Sequence, residues 1–197
     1  SEKEKEAATG YIKMTWPADE ISKEMGTIFV ENKSDVPGYG GAYWQYFENL
    51  ENVKTDSTTA LSITKNLYKK TKTSSGNELI AITNDNLKSG DLVTIRLIIK
   101  TENDLEFVHL KDLRASCFEP VDVISEYKWK SGLGYYQSTK DVATHFFFDT
   151  IKKGTYVLEY DVRINNSGRF NDGIATLQSM YAPEFTGHST STKLKTN

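Results

Sequence analysis

Three histidines, one cysteine and scattered carboxylates are the residues of this chain whose types could do chemistry. His109, His145 and His188 lie far apart, and none has a carboxylate or second histidine at metal-ligand spacing. His109 falls inside a strand pattern, where a structural histidine on one sheet face is the simpler reading. Cys117 has no nearby histidine and no CxxC partner, so it reads as a buried, inert thiol. Glu119-Pro120-Val121-Asp122 brings two carboxylates together, as turn or surface groups. Gly132 and Gly134 form only G-x-G, without a third glycine or a following helix, which argues against a phosphate cradle. No GxSxG elbow marks a serine nucleophile. These residues predict a protein that is not an enzyme, with no catalytic, cofactor-binding or metal site.

Recognition is the other chemistry on offer. The stretch 127–149 reads YKWKSGLGYYQSTKDVATHFFFD and carries Tyr127, Trp129, Tyr135, Tyr136 and Phe146 to Phe148 around a turn of small residues. Aromatics this dense either fill a core or form a surface. A buried aromatic removes about 150–250 Å² from water, worth roughly 4–6 kcal/mol as an upper bound. Tyrosine and tryptophan are also frequent anchors of protein interfaces. Three readings stay open for Trp129, Tyr135 and Tyr136: packing in the core, contact with another domain or partner, and a stacking platform for a small ligand such as a sugar. With Trp44, they form the candidate contact set.

The elements that must position these residues are short strands. Residues 11–16 alternate and stop at Pro17; 25–32 and 41–47 are further strand candidates. The four bulky aromatics of 41–47 cannot share one strand face, which predicts that both faces are covered or that one face meets another domain. The polar connection 51–59 is the expected domain boundary. Strand patterns follow at 60–69, 78–82, 92–100, 105–110 and 155–164, with another inside 170–180; a loop is expected at 70–77, and 111–116 is short and charged. Val93, Ile95, Leu97 and Ile99 share one face of their strand, as do Tyr156, Leu158, Tyr160 and Val162. Regular short strands with hardly any helical pattern predict an all-β antiparallel β-sandwich with extra N-terminal strands.

Composition narrows the class further. The net charge of −3 argues against a general nucleic-acid partner. No apolar run approaches the ~20 residues that span a bilayer, so no membrane contact is expected of this stretch. A lone cysteine leaves the redox compartment open. The chain opens on Ser1 with a charged run read as a solvated or helical tail over 1–9; a fragment of a longer polypeptide is expected.

Several segments together resemble the C-terminal region of bacterial alpha-2-macroglobulin-like proteins. They are Gly41-Ala42-Tyr43-Trp44-Gln45-Tyr46-Phe47-Glu48, Gly90-Asp91-Leu92-Val93-Thr94-Ile95-Arg96 and Phe107-Val108-His109-Leu110-Lys111-Asp112-Leu113-Arg114-Ala115, followed by Phe118-Glu119-Pro120. Gly132-Leu133-Gly134-Tyr135-Tyr136-Gln137-Ser138, Phe146-Phe147-Phe148-Asp149, Lys153-Gly154-Thr155-Tyr156-Val157-Leu158-Glu159-Tyr160 and Tyr181-Ala182-Pro183-Glu184-Phe185 complete the set. The resemblance implies a non-catalytic piece of a large protease trap of the periplasm or cell surface, membrane-anchored through its parent in a Gram-negative bacterium. It implies closing strands of a CUB-like or macroglobulin-like domain over 10–52 and a terminal macroglobulin-like sandwich over 57–197. Partners would be other domains of the parent chain and, through the full-length protein, target proteases. The family's Cys-Gly-Glu-Gln thioester is absent, since Phe118-Glu119-Pro120 follows Cys117. An adhesion or carbohydrate-binding module is the alternative.

Overall fold

The structure is a computed structural model that describes residues 2–7, 9–55, 60–82 and 87–197. The chain divides into two compact units, Ser1–Gln45 and Tyr46–Asn197.

The first unit holds one antiparallel hairpin, β1 (Glu2–Lys5) with β2 (Ile12–Thr15). Residues 2–5 are therefore a strand, where a solvated or helical tail was expected. Thr9 caps the connection by donating to the Glu6 carbonyl and accepting from the Tyr11 N–H. Residues 25–32 and 41–47 do not form the strands their composition suggests. Short 3₁₀ turns occupy Ala18–Glu20 and Lys23–Gly26, and the chain from 27 to 49 is irregular. The physical reason is the lack of a neighbour. Strand propensity mostly measures packing on a pleated surface, and this segment pairs with no strand. Among the described residues the first unit has no buried hydrophobic side chain.

The second unit is a sandwich of two antiparallel sheets. After a 3₁₀ turn at Leu50–Asn52 the chain enters β3 (Leu61–Thr73); residues 56–59, and with them the expected domain start at 57, lie outside the described residues. Next come β4 (Gly76–Ala81), β5 (Leu92–Thr101), β6 (Leu105–Leu113) and β7 (Phe118–Pro120). The aromatic stretch around 127–149 supplies β8 (Glu126–Lys130), β9 (Leu133–Thr139) and β10 (Ala143–Ile151). Then follow β11 (Gly154–Ile164), β12 (Gly168–Asn171), β13 (Ala175–Ser179), β14 (Thr186–His188) and β15 (Lys193–Thr196). One sheet runs β4-β3-β5-β11-β7 and the other β14-β13-β6-β10-β9-β8, while β12 and β15 form a separate pair.

The core lies between the two larger sheets. Val93, Ile95, Leu97 and Ile99 of β5 are fully buried, as are Leu158 and Val162 of β11, so the alternation read from the sequence sets the sheet face. They meet Val108 and Leu110 of β6, Phe146 and Phe148 of β10 and Leu177 of β13 in one hydrophobic cluster.

The expected loop at 70–77 is mostly strand, with a tight turn at 74–75, and the strand expected at 105–110 runs on. β3 continues to Thr73 and β6 to Leu113. In β3, Lys70 stays extended because its Nζ reaches Asp161 at 2.6 Å across the sheet. In β6, the charged residue Asp112 is an inward-facing core position rather than a loop residue.

Those inward charges form a buried polar cluster. Lys65 of β3 and Asp112 of β6 have side chains with 0% exposure, and Lys65 Nζ lies 2.8 Å from Asp112 Oδ1. Lys65 also donates to the carbonyls of Leu113 at 2.7 Å and Asp172 at 2.8 Å. Tyr160 of β11 donates to Asp112 Oδ2 at 2.6 Å. Burial and the neighbouring carboxylate push the Tyr160 hydroxyl well above its ordinary pKa, so it remains a donor.

Candidate contact surface

The hairpin β8–β9 turns on Ser131 (φ 56°) and Gly132 (φ 75°), both left-handed, as a two-residue type I′ connection requires. This turn fixes the register, and the register decides which aromatics face outward. Tyr127 pairs with Tyr136, Tyr136 with Phe147, and Phe147 with His109. The four residues form a row across β8, β9, β10 and β6 on the outer face of the six-stranded sheet. Tyr127 and Tyr136 have ring centroids 5.7 Å apart, and Phe147 stacks on His109 at 4.7 Å. Trp129 lies on the same face opposite Gly134. A Cβ at Gly134 would meet the Trp129 ring at 2.7 Å, so the glycine makes the bed on which the indole lies.

The structure separates the sequence candidates. Trp129 is 80% exposed and Tyr136 is 36% exposed, whereas Tyr135 is 2% exposed. Tyr135 points into the sandwich and packs against Phe146 and Phe148, with centroids 5.7 and 5.8 Å apart. A three-residue platform of Trp129, Tyr135 and Tyr136 therefore does not exist, because neighbours along a strand face opposite ways. Trp44 is exposed in the irregular part of the first unit.

Sequence reading missed the histidine pair. His109 Nε2 and His145 Nδ1 lie 2.9 Å apart, with the rings 2° from parallel. One ring donates and the other accepts, so the accepting ring is neutral at this contact. Burial, then the opposing imidazole and Lys111, lower the His109 pKa; burial and the cations Lys111, Lys140 and Arg114 lower that of His145. The only sequence signal was that both lie on outward positions of strands that pair. Among the described residues no group of three or more metal-binding side chains exists, and the pair lacks a third ligand. Cys117 is buried, and its surroundings push the thiol up to about 11, far from a reactive thiolate.

The outer face of the five-stranded sheet contrasts with this one. There Arg96 pairs with Glu159 at 2.6 Å and caps the Tyr68 ring at 4.7 Å, while Lys70 pairs with Asp161. One face is thus a laced polar surface suited to water. The other carries the aromatic row, with the Tyr127 hydroxyl donating to Asp149 at 3.0 Å.

The second unit is an antiparallel sandwich with an aromatic row on the outer face of its six-stranded sheet. Its family is set by comparison. The model of the bacterial alpha-2-macroglobulin MG10 domain matches residues 61–184, and the chain belongs to this family. Solved structures agree at the level of fold. Salmonella alpha-2-macroglobulin reacted with methylamine superposes with a TM-score of 0.58 at 15% identity, over 74% of this chain and 10% of that one. Trypsin-activated alpha-2-macroglobulin from Escherichia coli gives 0.58 at 15% identity, over 74% and 11%. The native E. coli protein gives 0.55 at 16% identity, over 81% and 10%. This chain thus spans about a tenth of the length of these relatives. No curated protein matches it.

Proposed function

We propose that this chain is a non-catalytic module of a bacterial alpha-2-macroglobulin-type protease inhibitor, and that its aromatic outer face seats another domain of the same parent. The observation that carries this reading is the exposed row of Tyr127, Tyr136 and Phe147 with Trp129 beside it, on a domain whose relatives are parts of much longer chains. Aromatic side chains with few rotatable bonds anchor interfaces at low entropic cost. Trp44 is a separate candidate contact of the first unit, and Tyr135 supports the aromatic face of the second from the core side. Residues 57–197 would be the terminal macroglobulin-like domain, and 10–52 the end of the preceding one. The parent would trap proteases in the periplasm or at the cell surface, anchored to a membrane outside this stretch; no helix of the described residues is long and apolar enough to cross one.

The test uses the full-length parent carrying Trp129→Ala with Tyr136→Ala. Hydrogen exchange in β8 and β9 should rise relative to the wild-type parent, while the fold of the isolated chain stays intact by circular dichroism. Unchanged exchange would remove the surface from the inter-domain contact.

A second reading is favoured by one observation, the exposure of Trp129 over Gly134, which resembles a one-sided stacking platform for sugar. Glycan binding by the isolated chain, lost in Trp129→Ala, would support it. A blank array would leave the inhibitor module alone.

A further inference from the structure

We propose that Lys65 and Asp112 are a self-modifying pair, forming an amide bond between Lys65 Nζ and Asp112 Cγ that covalently joins the two sheets. The starting observation is a contact with the wrong direction. Lys65 Nζ and Asp112 Oδ1 are 2.8 Å apart, yet Oδ1 has no partner of hydrogen-bond geometry and is fully buried. An ion pair kept only for stability would align its hydrogen bond, since a buried unsatisfied carboxylate oxygen is costly.

The surrounding groups are arranged as the reaction needs. Two N–H bonds of Lys65 are held by the carbonyls of Leu113 and Asp172. The remaining lobe of Nζ is left to Asp112. Tyr160 donates to Asp112 Oδ2, where negative charge develops when the carboxyl carbon is attacked. A second carboxylate, Asp172, has its Oδ2 3.9 Å from Lys65 Nζ, while its Oδ1 accepts from the Thr192 N–H at 2.6 Å and from Ser191 at 3.1 Å. Burial raises the Asp172 pKa, which suits it to carry a proton.

The step balances without an outside reagent. Lys65 passes its third proton to Asp112 Oδ1, and the freed lone pair attacks Cγ, forming the C–N bond. Asp172 gives a proton to the departing Oδ1 hydroxyl and takes one back from Nζ. The C–Oδ1 bond breaks, water leaves, and an ammonium and a carboxylate become one neutral amide. Nothing is oxidised or reduced. Replacing two buried charges by an amide removes their desolvation cost, and holding the reactants in contact supplies the effective concentration. The bond would bridge β3 of the five-stranded sheet to β6 of the six-stranded one.

The experiment is the intact mass of the purified, denatured chain. The expected value lies about 18 Da, one water, below the sequence mass, with a proteolytic peptide joining the Lys65 and Asp112 segments. Asp172→Asn, folded by circular dichroism, should keep the full mass. Loss of water in that variant would overturn the role of Asp172. A folded wild-type chain at full sequence mass, or a water loss mapped elsewhere, would overturn the bond itself, whether or not Lys65→Arg folds.

Discussion

His109 and His145 show how much a single contact between residues can say about pH. Their folded pKa values lie below the ordinary histidine value of about 6.5. A base depressed in the folded state stabilises the fold fully above its unfolded pKa, and that stability is lost as pH falls below it toward the folded value. Denaturation of the wild-type chain at pH 7.5 and at pH 5.5 should therefore give a larger loss of stability than the same comparison on His109→Gln. Equal losses would show that the pair is not the source. At the same scale, Gly134→Ala places a methyl group 2.7 Å from the Trp129 ring and should cost about 1–3 kcal/mol in urea unfolding. A neutral result would mean that the indole simply swings away. Neither effect was legible in the sequence. The glycine read as part of a turn, and the two histidines met only through the register of β6 and β10.

Strands are where the sequence spoke most clearly, and the reason is periodicity. β5 and β11 alternate apolar residues with a two-residue period, and both were readable because one face is covered by the other sheet. β6 was read too short because Lys111 and Asp112 look like loop residues, while Asp112 is held inside by Lys65 and Tyr160. A charged residue at the apolar phase of a strand, as at Lys65 between Ile63 and Leu67, was the available clue. The hairpin β8–β9 offers the element-scale test. Ser131 sits at φ 56°, so Ser131→Val should destabilise by about 1–2 kcal/mol and Ser131→Gly should not. Equal effects would argue against a type I′ turn. Within β10, Phe148→Ala removes a fully buried ring and should cost about 3–5 kcal/mol by the same measurement. A cost under ~1 kcal/mol would show that the core collapses around the gap.

For the whole molecule, the sandwich class and the family followed from the sequence, since the number and order of short matching segments survive where identity is low. The N-terminal part did not follow. Residues 25–32 and 41–47 have strand-like composition, but composition does not supply a partner strand, and they remain irregular. The aromatic face was legible as a concentration of aromatics, yet which of Trp129, Tyr135 and Tyr136 face outward was set only by register. We propose above all that this module serves a protease trap. The most direct measurement is made on the full-length parent mixed with trypsin. The protease should stay bound and still cleave a small peptide substrate while losing activity on a large protein substrate. Trypsin that is not retained, or that loses the small substrate as well, would contradict it.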